Sequence, residues 1–151
     1  MPRLDYQEQD STISLKAGLE EYRSNFTGLL DEHEIPPQAA IFFHAHDLCH
    51  VIFGCDTSVP HEAMADTWCL FGTSVGFKEY LDHLRLPQAN DIFQQIGYMR
   101  TAWETIRVSP RLVKVIVRAR RMTKPWPFWD NGQYVDISIR EIRETFNICL
   151  C

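Results

Sequence analysis

Apolar residues recur at helical spacing from the first part of the chain. After Ser14, a residue type that caps helices well, the apolar positions follow steps of three and four: Leu15, Leu19, Tyr22 and Phe26. Pro36 and Pro37 then open a segment that stays apolar on nearly every side as far as Gly54. The pattern predicts one amphipathic helix followed by a central, buried helix.

Two shorter helices are predicted after Gly54. A turn from Cys55 to Pro60 leads into a third helix that begins near His61. The expected core side chains of this helix are Met64, Trp68 and Phe71. Ser74 then caps a fourth helix. Its expected core side chains are Phe77, Tyr80, Leu81 and Leu84.

Three more helices complete the predicted fold. The cleanest apolar stripe in the sequence follows Pro87 and consists of Ile92, Ile96, Met99, Trp103 and Ile106. Pro110 begins the next helix, which continues to Met122, and Ser138 with Glu141 forms a capping box for the last one. Because no segment alternates at period two, we predict an all-α fold, a single compact domain over residues 1–151 with about six or seven helices.

The composition is that of a folded protein without a nucleic-acid partner. Apolar residues make up 45% of the 151 residues and charged residues 23%, which is too apolar for a disordered segment. The formal net charge is −5. Proteins that bind nucleic acids usually carry a basic field that neutralises phosphates, so we expect no nucleic acid here.

The cysteines and the first residues indicate a reducing compartment. Five cysteines, an odd number, follow an acidic and polar start that resembles neither a secretory nor a transit signal. The longest apolar runs, Ala39 to Phe43 and Val51 to Gly54, are too short to span a bilayer. We therefore expect a cytoplasmic protein.

A basic stretch raises the question of peripheral membrane contact. Six basic residues lie in or near the apolar run Leu112 to Val117, namely Arg111, Lys114, Arg118, Arg120, Arg121 and Lys124. They could meet an anionic membrane surface or a prenyl phosphate headgroup, but a solvated helix face is the favoured interpretation. The aromatic residues between Trp126 and Trp129 are likewise expected to pack on the core rather than to line a lipid groove.

The candidate chemistry lies in the middle of the predicted buried helix. Its polar residues are His44, His46, Asp47 and His50, and such groups are costly in an apolar interior unless they find strong partners. At about 100° per residue, His46 and His50 lie about 40° apart, and Asp47 lies about 60° beyond His50. A metal ion would satisfy these three together. His44 projects about 160° from His46 and is a weaker candidate, as is Cys49.

Glu62 is expected to complete this site. It follows His50 after eleven residues and lies in the first turn of the third helix, which the short turn brings back beside the second. Two imidazoles with one or two carboxylates form a nitrogen and oxygen site suited to zinc, iron(II) or manganese(II). We take His46, Asp47, His50 and Glu62 as metal ligands, and Glu62 and Asp47 also as candidate catalytic residues. The alternative is a buried histidine and aspartate pair that only hydrogen-bonds.

The spacing of these residues resembles that of a known family. The stretch HDLCH at 46–50, a gap of eleven residues and then Glu62 match the HDxxH, eleven-residue gap, E signature of the ubiquinone (coenzyme Q) biosynthesis protein Coq-four family. The resemblance is strongest from Phe42 to Phe71, and we place the motif core in residues 36–72. The final helix, with ISIREIRETFNI, resembles the closing helix of that family.

The resemblance implies an all-helical fold, a divalent metal that is commonly zinc, and a hydrophobic groove for a polyprenyl tail. Residue by residue, the metal role passes to His46, Asp47, His50 and Glu62. The implied activity is the metal-dependent oxidative replacement of the ring C1 carboxylate of a prenylated hydroxybenzoate, on the way to a benzoquinone.

Other functions remain open at this stage. The main alternative is a non-catalytic lipid-binding scaffold of a quinone biosynthesis complex, in which the metal braces two helices. The implied partners are a polyprenylated quinone precursor or isoprenoid lipid, and a homodimer or biosynthetic complex. A metal phosphohydrolase fits less well because it needs further histidine and aspartate ligands, and a zinc protease because it uses Glu where Asp47 stands.

Overall fold

The structure is a computed structural model that describes residues 3–26, 36–84 and 110–151. Within these ranges it contains six α-helices, numbered here in chain order: α1 (Leu15–Asn25), α2 (Pro37–Phe53), α3 (Val59–Gly72), α4 (Phe77–Leu84), α5 (110–119) and α6 (Ile139–Phe146). Two short 3-10 helices, Asp5–Gln7 and Gly132–Tyr134, accompany them. The predicted all-α fold is confirmed, since these ranges contain two isolated β-bridges and no strand. The predicted helix that carries Ile92 to Ile106 lies outside the described residues.

Residues predicted to cap helices do so at three ends. The Ser14 hydroxyl accepts a hydrogen bond from the Ala17 amide at 3.2 Å, and Ser138 accepts one from Glu141 at 3.3 Å. Gly54 ends α2 with φ of 68°, a left-handed conformation that side chains with a Cβ rarely adopt. These contacts fix where α1, α2 and α6 begin or end.

The start of α4 differs from its prediction. The helix begins at Phe77 rather than directly after Ser74, and the Ser74 hydroxyl instead accepts a hydrogen bond from the Phe128 amide at 3.1 Å. Tyr80 is buried as predicted, whereas Phe77 is 62% exposed, so its predicted place in the core is wrong. Ser74 therefore bonds to a residue distant in sequence, Phe128, and does not cap α4.

Helix α2 lies at the centre of one hydrophobic core. It packs against α1 on one side and α3 on another. The Phe53 ring stacks on Trp68 of α3, with 4.4 Å between ring centroids. Gly18 lets α1 approach closely, because a Cβ there would come within 2.9 Å of a Val51 methyl group on α2. The prediction of a central buried helix is confirmed.

Arg143 ties three parts of the chain together from the inside. Its guanidinium is 1% exposed and donates hydrogen bonds to backbone carbonyls of Val51 and Ile52, at the end of α2, and of Tyr6 and Glu8 near the N-terminus. The last carbonyls of a helix have no partner within it, so a buried donor is needed at this end. Arg143 therefore closes α2 and holds the N-terminal segment against α6.

The surface of α5 carries exposed apolar and basic groups. Val113 is 60% and Val117 42% exposed. Arg118 donates to the Cys149 carbonyl, and the Lys124 ammonium lies 4.5 Å from the centre of the Phe146 ring. No helix in the described part of the chain is long and apolar enough to cross a membrane. Contact of this face with a membrane stays a prediction.

The aromatic segment after α5 packs mainly inward. Trp126 and Phe128 are wholly buried, which confirms the favoured core interpretation for these two rings. Trp129 is 38% exposed and lies beside Phe128, with 4.7 Å between ring centroids. It borders a cavity of about 220 Å³ against α2, lined also by Ala40, Ile41, His44, Ala45 and Asn131.

Candidate metal centre

The polar residues of α2 face the first turn of α3. His46 and His50 lie one turn apart on α2, and their ring centroids are 4.8 Å apart. Glu62 stands in the first turn of α3, which the short segment after Gly54 folds back beside α2. One donor atom from each of these three residues lies within 4.8 Å of the other two. The structure thus brings together His46, His50 and Glu62, and this group could hold a metal ion.

His50 is the most deeply buried member of the group. Its side chain is completely buried, and neither ring nitrogen has a hydrogen-bond partner among the described residues. The Nε2 atom lies 3.3 Å from a Glu62 carboxylate oxygen, but the alignment is not that of a hydrogen bond. Leaving a buried polar group unsatisfied costs about 1–3 kcal/mol, and a bound cation would remove that cost. A metal ion bound at this point would therefore account for the burial of His50.

Glu62 supplies a negative charge at the edge of the site. Its side chain is 37% exposed. Burial alone would raise the pKa of this carboxyl, but the nearby imidazoles of His50 and His46 lower the pKa below its ordinary range. Its position in the first turn of a helix also favours the ionised form. Glu62 is thus a carboxylate that solvent can reach.

His46 has a carboxylate partner that we did not predict from the sequence. Its Nε2 atom lies 3.4 Å from an Asp66 carboxylate oxygen, and the Tyr80 hydroxyl donates to the same oxygen at 2.6 Å. Burial lowers the pKa of His46, whereas the hydrogen bond with Asp66 and the nearby negative groups raise it, to about 10 as the net result. The sequence spacing could have indicated Asp66, because Asp66 follows Glu62 by four residues and therefore lies on the same face of α3.

Asp47 has a different partner from the one expected. Its carboxylate forms an ion pair with Arg23 of α1 at 2.9 Å, and the same guanidinium lies 3.3 Å from His44 Nδ1. Burial raises the pKa of Asp47, and the charge of Arg23 partly offsets that effect. Asp47 does not belong to the described group of donors around His50. Its roles as metal ligand and catalytic residue stay predictions.

The donor set defines what chemistry the group can support. Two imidazole nitrogens and a carboxylate oxygen suit zinc and other divalent transition metals. Catalytic zinc sites characteristically use three protein ligands and keep a further position for water or substrate, whereas structural sites are closed by four. Cys49 is completely buried in the hydrophobic core.

A larger cavity lies beside the turn that leads into α3. It has a volume of about 630 Å³, and its apolar wall includes Leu4, Phe26 and Leu150. His61, the residue before Glu62, also lines it. The Phe26 ring packs on Tyr22 with 5.3 Å between centroids, and Tyr22 in turn packs on His50 at 5.2 Å. Two ring contacts therefore connect this cavity with the metal-binding group.

Comparison with known proteins found no relative of this chain. No protein-family model, curated protein or solved structure matches the chain. The likeness to the ubiquinone biosynthesis family therefore rests on the signature at 46–50 and 62 and on the final helix.

Proposed function

We propose that this chain binds one divalent cation, zinc before iron(II) or manganese(II), through His46, His50 and Glu62. The observation that carries the proposal is the completely buried His50, whose two ring nitrogens lack hydrogen-bond partners among the described residues although Nε2 lies 3.3 Å from the Glu62 carboxylate. A neutral imidazole is the commonest metal ligand in proteins, and zinc accepts a mixture of nitrogen and oxygen donors. The residues therefore fit the ion that the sequence signature implies.

We further propose that the bound metal serves a reaction on a polyprenylated benzoquinone precursor. The resemblance of the signature at 46–50 and 62 supports this substrate class. In the proposed reaction the ring C1 carboxylate leaves as CO₂, a hydroxyl group takes its place, and dioxygen accepts the two electrons that are released. When bound, the cation supplies a Lewis acid that polarises an oxygen of the substrate. Glu62, ionised and reached by solvent, is the residue of the group that lies at the edge where a substrate would meet the cation.

The cavity beside His61 suits the tail of such a substrate. Its apolar wall of Leu4, Phe26 and Leu150 offers the environment that an isoprenoid chain needs. The rings of Phe26 and Tyr22 lie between the cavity and His50, with centroid distances of 5.3 Å from Phe26 to Tyr22 and 5.2 Å from Tyr22 to His50. A tail held there would place a ring head near the metal-binding group.

A scaffold function is the second candidate. The observation that favours it is the position of the group between α2 and α3, where a metal would brace two helices of the core. In that case the chain would bind prenylated lipid without converting it. An ion enclosed by four protein ligands would support the scaffold, and an exchangeable water ligand would support the enzyme.

The test uses the chain loaded in separate samples with zinc, iron(II) or manganese(II), and a prenylated hydroxybenzoate that carries ¹³C in its carboxyl group, with dioxygen as oxidant. Release of labelled CO₂ with formation of the ring-hydroxylated product supports the enzyme. The matched control is the same hydroxybenzoate without a tail. Tail-dependent binding without product supports the scaffold, and equal affinity for the two compounds overturns the tail site.

A further inference from the structure

Asp66 of α3 and Tyr80 of α4 form a polar pair beside His46. One Asp66 carboxylate oxygen lies 3.4 Å from His46 Nε2 and accepts a hydrogen bond from the Tyr80 hydroxyl at 2.6 Å. The proposed function assigns no role to either residue. Their arrangement nevertheless bears directly on how the His46 ring is held.

The hydrogen bond to Asp66 defines which ring nitrogen of His46 is left to bind a metal. An ionised carboxylate only accepts hydrogen bonds, so His46 Nε2 carries a hydrogen and donates it to Asp66. That leaves Nδ1 as the nitrogen with a free lone pair in the neutral ring. Asp66 lies outside the described donor group of His46, His50 and Glu62, so its contact with the group runs through the His46 ring.

Tyr80, which donates the hydrogen bond to Asp66, is itself held in place by its neighbours. Tyr80 is completely buried and packs between Phe42, at 5.6 Å, and Phe128, at 6.2 Å between ring centroids. Its hydroxyl therefore points at Asp66 from a ring that has little freedom to move. Asp66 follows Glu62 by four residues on α3, just as His50 follows His46 by four residues on α2, so each pair lies on one face of its helix.

We propose that Asp66, held by Tyr80, is a positioning residue that fixes the orientation and tautomer of His46 so that Nδ1 faces the metal. The inference rests on the proposed metal site and extends it to α4. Carboxylates that accept the second N–H of a metal-bound histidine typically change metal affinity by about 10–100-fold when they are removed. Asp66 acts through His46 and does not itself bind the ion.

The variants that test this are Asp66→Ala, Asp66→Asn and Tyr80→Phe. Asp66→Ala removes the acceptor, whereas Asp66→Asn keeps an acceptor oxygen of nearly the same shape. Tyr80→Phe keeps the ring in the core and removes only the hydroxyl. Asp136→Asn, an exposed change of the same charge, is the matched control. Thermal unfolding of each metal-free variant shows whether it is folded.

Zinc affinity is measured by competition with a chromophoric chelator, and the tautomer by long-range ¹H–¹⁵N NMR of the histidine rings in the zinc-loaded chain. We expect about 10–100-fold weaker binding for Asp66→Ala, partial rescue by Asp66→Asn, a smaller loss for Tyr80→Phe and no loss for Asp136→Asn. We also expect His46 to hold zinc at Nδ1 and a proton at Nε2.

Two results separate the failure of this inference from failure of the metal site. If the parent chain binds zinc but Asp66→Ala binds it within twofold, or if zinc sits on His46 Nε2, the positioning role is wrong and the metal site stands. If the parent chain binds no divalent metal, the metal site fails and the positioning role fails with it.

Discussion

A carboxylate oxygen of Glu62 lies 3.3 Å from the Nε2 atom of the completely buried His50, across the interface between α2 and α3. Two ligands that each lie about 2.1 Å from a zinc ion at a tetrahedral angle are about 3.4 Å apart. The pair is thus already at the separation that one edge of such a site requires. One member is deep in the core and the other borders solvent, so a metal here would link the core to the surface.

Replacing either histidine should remove the metal. His46→Ala and His50→Ala each delete one of three donors and leave Glu62 without its cation, which also lowers the stability of the folded chain. Elemental analysis of the purified variants measures the loss. His44→Ala is the matched control, because His44 lies on another face of α2 beside Arg23. Stoichiometric metal in either His46→Ala or His50→Ala would show that the ligand set is wrong.

Glu62→Gln should reduce activity more than stability. The change keeps the size of the side chain but removes the charge at the solvent edge of the site. We expect turnover of the prenylated hydroxybenzoate to fall at least about tenfold, or about 1.4 kcal/mol in transition-state stabilisation, with little change in melting temperature. The exposed Glu20→Gln change on α1 is the control. Unchanged turnover together with a lower melting temperature would favour the scaffold.

The fold could be predicted from local signals to a large extent. Ser14, Gly54 and Ser138 act within three or four residues of their own position, and the structure confirms each of them as a helix boundary. The prediction that Ser74 caps α4 failed because its hydroxyl accepts a hydrogen bond from the amide of Phe128, which is 54 residues away. Such a partner leaves no trace in the local pattern.

The candidate site also combines contacts that the sequence predicts with contacts that it does not. His46 and His50 share a helix face and Glu62 follows a short turn, so their convergence could be predicted from spacing alone. The ion pair of Asp47 with Arg23 joins two helices over 24 residues, and nothing in the sequence near Asp47 indicates it. Tertiary packing therefore decides the partner of Asp47.

Metal affinity should increase with pH between about 6.5 and 10. The pKa of His46 in the folded, metal-free chain is about 10, above its ordinary value of 6.5, so across this window the ring holds a proton that a metal must displace. Apparent affinity should rise by up to about tenfold per pH unit for one displaced proton. Zinc competition titrations at several pH values measure the slope. A flat profile would contradict the role of His46.

The metal-free chain should show the opposite trend. A histidine whose pKa is raised on folding contributes stability that is fully present below the unfolded value of 6.5 and is lost as pH rises through about 10. Denaturant unfolding of chelator-treated protein should therefore show decreasing stability over this range. A free energy of unfolding that increases with pH there would contradict the ion pair between His46 and Asp66.

Arg143→Met should strongly destabilise the fold without changing the metal site directly. The carbonyls of Ile52 and Tyr6 would lose the Arg143 donor, whereas the Val51 carbonyl would keep its hydrogen bond from the Gly54 amide. Each buried carbonyl left without a partner costs about 1–3 kcal/mol, so we expect a loss of about 3 kcal/mol or more in denaturant unfolding. Arg140→Met, on the exposed face of the same helix, should change stability by less than about 0.5 kcal/mol. Equal effects of the two changes would contradict the structural role of Arg143.

X-ray absorption at the metal edge, combined with elemental analysis of the same sample, tests the central claim most directly. The proposed site requires one divalent metal per chain with two imidazole nitrogens and at least one oxygen at about 2.0–2.2 Å, and no sulfur at about 2.3 Å. A zinc-loaded chain that shows sulfur ligands, or a purified chain that takes up no divalent metal in stoichiometric amount, would contradict the assignment of His46, His50 and Glu62.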